Sequence, residues 1–254
     1  AHLKLAKYPE ERLSFARRPY SAAHMESAAE NLEDVRANIA RMCKPSRRKP
    51  EDVTLIAVSK THPAERITPL LDAGHRVFGE NRVREAQDKW PALREQYSDV
   101  ELHLIGQLQS NKAEEAVELF DVIHSLDRPS LLKALAKAMD KVGRRVPCFV
   151  QVNIGDEEQK GGCPIAELPD FLAKVRDADI ALAGLMCLPP SDTEPAPFFA
   201  FLAKLARDNG LAHDNGLNGE AAGLSMGMSG DYETAVQLGA THVRVGTALF
   251  GVRG

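Results

Sequence analysis

Short apolar runs rich in β-branched residues recur along this chain, and between them apolar residues fall at helical spacing. The strand-like runs are 53–60, 76–81, 101–106, 122–126, 148–154, 180–188, 223–228 and 242–250. The helical patterns cover 64–73, 82–96, 111–120, 129–142, 165–178, 197–209 and 230–238. Eight strands separated by seven helices predict an α/β chain closed into a parallel (β/α)8 TIM barrel. A doubly wound open sheet is the alternative, and eight successive similar units disfavour it. No low-complexity linker divides the pattern, so one domain is expected over 22–254, preceded by an extension over 1–21. The eighth helix is missing after the last strand. A long amphipathic pattern from Ala22 to about Cys43, with Met25, Ala29, Leu32, Val35, Ile39 and Met42 at helical spacing, precedes the first strand. It is expected to cover the seam between first and last strands.

Composition narrows the function classes. The chain has 254 residues, 44% of them hydrophobic, which suffices for one large core. A formal charge of −4 gives no field to gather nucleic acid or anionic membrane. The basic clusters at Arg17-Arg18 and 44–49 are short and lack interleaved aromatics. The longest uncharged apolar stretch, 180–190, is too short to span a bilayer. The four cysteines, Cys43, Cys148, Cys163 and Cys187, form no paired spacing, so isolated thiols in a reducing cytoplasm are expected. Eight histidines are scattered without metal-ligand spacing, and no metal site is expected.

Chemistry gathers at strand ends. Lys60 closes the run Val53-Thr54-Leu55-Ile56-Ala57-Val58-Ser59, where a buried parallel strand delivers an amine to the barrel mouth. Partial burial lowers an amine from its usual value of about 10.4 and makes it a nucleophile toward a carbonyl. The plainer reading is a strand-end lysine that snorkels to water. In such barrels phosphate is often held by the loops after the last two strands. Here those loops carry Ser225-Met226-Gly227-Met228-Ser229-Gly230-Asp231 and Arg244-Val245-Gly246-Thr247, small residues that let backbone N–H groups approach an anion. Adjacent strands lie roughly 4.8 Å apart, so strand seven stands on the order of 10 Å from strand one. A flat molecule with an aldehyde at one end and a phosphate at the other spans that gap, and pyridoxal 5′-phosphate has this shape. A barrel aldolase that uses Lys60 without a cofactor needs the same two features and stays open at this point. Gly223-Leu224-Ser225-Met226-Gly227, followed by Asp231 and His242, also satisfies a serine-hydrolase elbow in triad order, but too close to the chain's end.

Five runs carry a resemblance. They are Ala57-Val58-Ser59-Lys60-Thr61, Phe78-Gly79-Glu80-Asn81, His103 through Lys112, Ser225 through Ser229, and Val243 through Gly251. Together, over roughly 24–251, the chain resembles the YggS/PROSC family of pyridoxal phosphate homeostasis proteins. The resemblance implies a barrel of the alanine racemase N-terminal type (fold-type III) that holds pyridoxal phosphate as a Schiff base on Lys60. It further implies phosphate contacts from Ser225, Gly227, Ser229, Gly246 and Thr247, with Arg244 beside the pyridine nitrogen and Asn81 near the ring. The stretch from Asn153 to Gly162 resembles the family's polar loop after strand five. Gln107 stands where the family commonly has proline, and Met226 where leucine is common.

An arginine facing the pyridine nitrogen disfavours its protonation and weakens the ring as an electron sink. A barrel-interior arginine paired with Glu80 or Glu157 is the plainer role for Arg244. Racemisation needs a second acid/base on the opposite cofactor face, which the related racemases take from a second domain. None is evident here, and Tyr232 is the only tyrosine near the site. The expected role is therefore to hold, buffer and hand on the cofactor, with no catalytic residue assigned. The expected setting is a cytoplasmic monomer, with apo-enzymes dependent on pyridoxal phosphate as recipients. A racemase or other fold-type III enzyme is the alternative.

Overall fold

The computed structural model describes residues 22–157, 161–211 and 223–251, with side chains from residue 28 onward. Eight parallel strands form a closed barrel in chain order. They are β1 (Thr54–Val58), β2 (Val77–Glu80), β3 (Glu101–Leu104), β4 (Val122–Leu126), β5 (Cys148–Val152), β6 (Leu182–Cys187), β7 (Gly223–Met228) and β8 (His242–Val245). Closure rests on β1 pairing with β8, from Thr54 opposite His242 to Ala57 opposite Val245.

The helices are α1 (Ala22–Cys43), α2 (Ala64–Asp72), α3 (Val83–Gln96), α4 (Ala113–Leu119), α5 (Pro129–Val142), α6 (Leu168–Asp177), α7 (Ala196–Asp208), α8 (Tyr232–Gln237) and α9 (Thr247–Phe250). Among the described residues, no helix is long and apolar enough to cross a membrane. Alternation along each strand sorts the core. Leu55 and Ala57, Leu102 and Leu104, and Cys148 and Val150 belong to the continuous cluster under the helices. Val122, Phe149 and Met186 form a separate small cluster.

Helix α1 takes the place of the eighth helix. It lies against α2, α8 and α9, the helices flanking β1 and β8. Leu32, Val35 and Ile39 are buried, each contributing roughly 1.5–3 kcal/mol of apolar burial. Its buried stripe runs through Ala28 and Cys43 rather than Ala29 and Met42, which are only partly covered; the Met25 side chain lies outside the described residues. Polar ties fix the register: Asn31 Nδ2 donates to Leu249 O at 3.0 Å, and Asn38 Nδ2 to the Tyr232 hydroxyl at 3.0 Å. The expected extension over 1–21 falls outside the described residues.

Two local departures shape the mouth. The run expected as one strand over 242–250 divides at Gly246 into β8 and the single turn α9. A short apolar run such as Ala248-Leu249-Phe250 has no periodicity that separates strand from helix, and here Leu249 and Phe250 bury as a helical turn. On β7 the register against β8 slips, with Ser225 opposite His242 but Met228 opposite Arg244. Three residues thus answer two, and Gly227 takes up the bulge at φ +94°. A side chain there would meet Ala235 Cβ at 2.5 Å, so glycine also lets β7 approach α8.

Candidate functional site

Parity along β1 sends Leu55 and Ala57 to the helices and leaves Ile56, Val58 and Lys60 on the barrel side. Lys60 stands two residues past β1, half-buried in a turn where Thr61 adopts φ 64°. Val58 and Lys60 line a cavity of about 620 Å³ at the C-terminal mouth. Asn81, just past β2, lines the same cavity. A side chain on Gly106 would come within 2.2 Å of Asn81 O, so glycine lets the β2 and β3 ends touch here.

The wall opposite carries the anion-cradle chemistry. Ser229, Gly246 and Thr247 all line the cavity. The backbone N–H groups of Gly246 and Ala248 converge on one point, both donating to Ser229 Oγ at 3.1 and 3.2 Å. Two backbone donors aimed together at the start of a helical turn are what an anionic oxygen needs. The Ser229 loop is held by a closed turn: Met228 N–H donates to Asp231 Oδ1 at 2.6 Å, and Asp231 N–H returns to Met228 O at 3.0 Å.

Arg244 forms part of the floor and is almost fully buried. Its Nη1 donates to Ser225 Oγ at 2.6 Å and its Nη2 to Cys187 O at 2.9 Å. Burial lowers its pKa from the usual arginine range. No ion pair to Glu80 accompanies it: that carboxylate belongs to Lys89, at 2.6 Å, and also accepts from Ser59 Oγ and Trp90 Nε1. Burial raises the Glu80 pKa, with Lys89 opposing.

Two residues expected at the phosphate stand apart from the others. Ser225 and Gly227 are absent from the cavity lining. Ser225 sits mid-strand, fully buried, its hydroxyl shared between Arg244 and His124 Nδ1 at 2.9 Å. Strand parity turns it inward, one layer below the mouth. The same burial removes the hydrolase elbow, since its histidine contact is His124 and not His242. Gly227 serves the bulge that carries Met228 and Ser229 to the rim.

Several lining residues were not assigned to the site from the sequence. His62 closes one side, its ring 4.6 Å from that of Phe250. Gln107 and Gln151 meet across the floor, Nε2 to Oε1 at 2.6 Å, and Gln151 Nε2 donates to Gly161 O. Alternation with Phe149 on β5 was the available signal for Gln151. Of the polar loop after β5, Asn153 and Gly161 line the cavity, while Glu158, Gln159 and Lys160 lie outside the described residues. Tyr232 faces away, buried against α1 through Asn38. All four cysteines are free and buried, and no metal-holding cluster occurs among the described residues.

The comparisons agree with this architecture. The family model of the alanine racemase N-terminal domain matches residues 31–254. A protein of Escherichia coli K12 named pyridoxal phosphate homeostasis protein is 39% identical over 237 residues, 90% of this chain and 98% of that one. Its namesake in Aquifex aeolicus is 36% identical over 231 residues, 89% and 99% of the two chains. Among solved structures, PipY of Synechococcus elongatus with PLP bound is 38% identical with a TM-score of 0.74, covering 88% of this chain and all of that one. An alanine racemase of Clostridium difficile shares the fold at 15% identity and a TM-score of 0.67, over 90% of this chain and 57% of that chain.

Proposed function

This chain belongs to the family of pyridoxal phosphate homeostasis proteins, with a barrel of the alanine racemase N-terminal type, and from that premise we propose that it holds pyridoxal 5′-phosphate and hands it on. One observation carries the reading: an amine after β1 and a convergent pair of backbone N–H groups after β8 line one cavity of about 620 Å³. The donor set fits the cofactor. Lys60 would supply the amine for the aldehyde, Ser229, Gly246 and Thr247 would hold the phosphate, and Asn81 and Arg244 would offer polar groups to the ring. When bound, the cofactor contributes an electrophilic aldehyde and an electron-withdrawing ring. Holding that aldehyde inside the barrel keeps it from free amines.

Carriage rather than turnover is supported by Arg244, a cation whose described hydrogen bonds go only to neutral groups. In this reading residues 22–254 act as one cytoplasmic barrel, a monomer that supplies apo-enzymes needing pyridoxal phosphate.

Borohydride reduction of the protein mixed with pyridoxal phosphate, read by intact mass, tests the reading. Wild type should gain the mass of one reduced cofactor, and Lys60→Ala should gain none. Labelling retained in the variant overturns the assignment of Lys60; no labelling of wild type overturns the ligand.

A further inference from the structure

A row of polar groups crosses the barrel interior from the floor of the cavity to the opposite end. Arg244 Nη1 reaches Ser225 Oγ at 2.6 Å, and that hydroxyl lies 2.9 Å from His124 Nδ1. His124 Nε2 is 2.8 Å from His103 Nδ1, and His103 Nε2 is 2.7 Å from Glu101 Oε1. Arg244, Ser225, His124 and His103 are buried, whereas the Glu101 side chain is 49% exposed at the start of β3. Nothing in the proposed function uses His124, His103 or Glu101.

With both imidazoles neutral, the chemistry of the two ends leaves one direction for every hydrogen atom. A guanidinium has donors only, so Arg244 donates to Ser225. An ionised carboxylate has acceptors only, so His103 carries its proton on Nε2 and donates to Glu101. A neutral imidazole bears a single N–H, which leaves His103 Nδ1 bare to accept from His124 Nε2. His124 Nδ1 is then bare in turn and accepts the Ser225 hydroxyl proton. Each group in the row is satisfied, with positive charge at the cavity end and negative charge at the far end. A charged His124 would instead press a second donor on Ser225 and orphan the hydroxyl proton.

The surroundings keep His124 neutral. His124 stacks on Phe149 at 4.3 Å, and the ring of His242, itself tied to Thr241 Oγ1 at 2.8 Å, lies 5.9 Å away. Burial, then His103, His242 and Arg244, hold the His124 pKa well below the imidazole range. The hydrogen bond from His103 lowers that of Glu101, against its partial burial.

We propose that Glu101 is a positioning residue for Arg244: from the opposite end of the barrel it fixes, through His103, His124 and Ser225, the hydrogen-bond direction that holds the guanidinium as a donor under the cavity. Arg244 is thereby pinned at Nη1 by the row and at Nη2 by Cys187 O. Only the effect on cofactor rests on the function proposed above; the hydrogen-bond direction does not.

Two measurements on the full chain test it. Side-chain 15N–1H correlation spectra of the protein without added ligand should show His103 and His124 both as the Nε2–H tautomer at neutral pH. Glu101→Gln, whose carboxamide both donates and accepts, should lose that single pattern at both histidines. A proton on His124 Nδ1 in wild type, or an unchanged pattern in the variant, overturns the proposal. The second measurement is pyridoxal phosphate affinity, read from its visible absorption. Glu101→Gln should weaken it by about two- to thirtyfold. In Ser225→Ala, where the row is already cut, adding Glu101→Gln should change nothing further. Additive losses overturn the proposal, because a merely structural role for Glu101 predicts additivity. Wild type that takes up no cofactor defeats the function proposed above and leaves the tautomer experiment to decide this one.

Discussion

Two buried cations flank the cavity floor, one outside the sheet and one inside it, and their partners differ in kind. Lys89, on α3, meets the carboxylates of Glu80 at 2.6 Å and Glu85 at 3.3 Å, and donates to the carbonyls of Ser59 and His62 at 2.9 and 3.0 Å. Its charge is answered, and its four contacts clamp the turn that carries Lys60. Arg244 has a hydroxyl and a carbonyl, both neutral. No carboxylate pairs with it directly among the described residues, and Asp231 acts on its charge only from a distance. A cation with carboxylates against it is a structural clip. One denied them keeps its field for whatever occupies the cavity.

The largest test removes each cation. Lys89→Met strands Glu80 as an unpaired buried carboxylate and should cost roughly 3–5 kcal/mol of unfolding free energy in urea. Arg244→Met loses two hydrogen bonds to neutral groups while relieving the desolvation of a buried charge, so it should cost no more than about 2 kcal/mol. Equal losses would erase the distinction between clip and field.

Acid separates the two regions by sign. His242, beside the row, is held at about 3, chiefly by burial and then by His103. With the folded pKa below the unfolded one, the unfolded chain binds the proton first. The His242 contribution is therefore complete above about pH 6.5 and is lost as pH falls toward 3, by up to about 1.4 kcal/mol per pH unit. Glu80 acts the other way, because its folded pKa is raised and acid relieves the cost of its buried charge. His242→Gln should flatten the fall in stability between about pH 6.5 and 3. A stability curve for that variant parallel to wild type would remove His242 from the acid response.

Ser229→Ala is the smallest change expected. It leaves the N–H groups of Gly246 and Ala248 without their hydroxyl acceptor and should cost about 1 kcal/mol in thermal or urea unfolding. Phosphate added to the variant should restore part of that loss, since an anionic oxygen can take up the same donors. Failure of phosphate to do so would argue against a cradle at this loop.

Much of the framework was legible in the chain. The strand limits at 122–126 and 223–228 and the helix over 129–142 coincide with what folds, because their patterns are long or sharply bounded by glycine and proline. Lys60 and Asn81 were legible as the last residues of the runs over 53–60 and 76–81; both line the mouth, just past the shorter strands β1 and β2. Ser225 and Gly227 were not, since a motif names residues without saying which face of the strand each takes. The slip of register at Gly227 reverses that face within three residues. Residues 247–250 misled for a related reason: four residues are too few to show a period.

What the sequence determined by itself is the order of the strands, the amine that closes the first strand-like run and the small residues in the loops of the last two, because each is a local property of pattern and turn chemistry. Only the tertiary structure decided which buried charges meet. Glu80 and Lys89 are separated by eight intervening residues, and Glu101 and Arg244 lie in strands of opposite halves of the chain. Alternation and closure of the barrel, not nearness in sequence, bring the first pair into contact and set the second at the two ends of one hydrogen-bonded row.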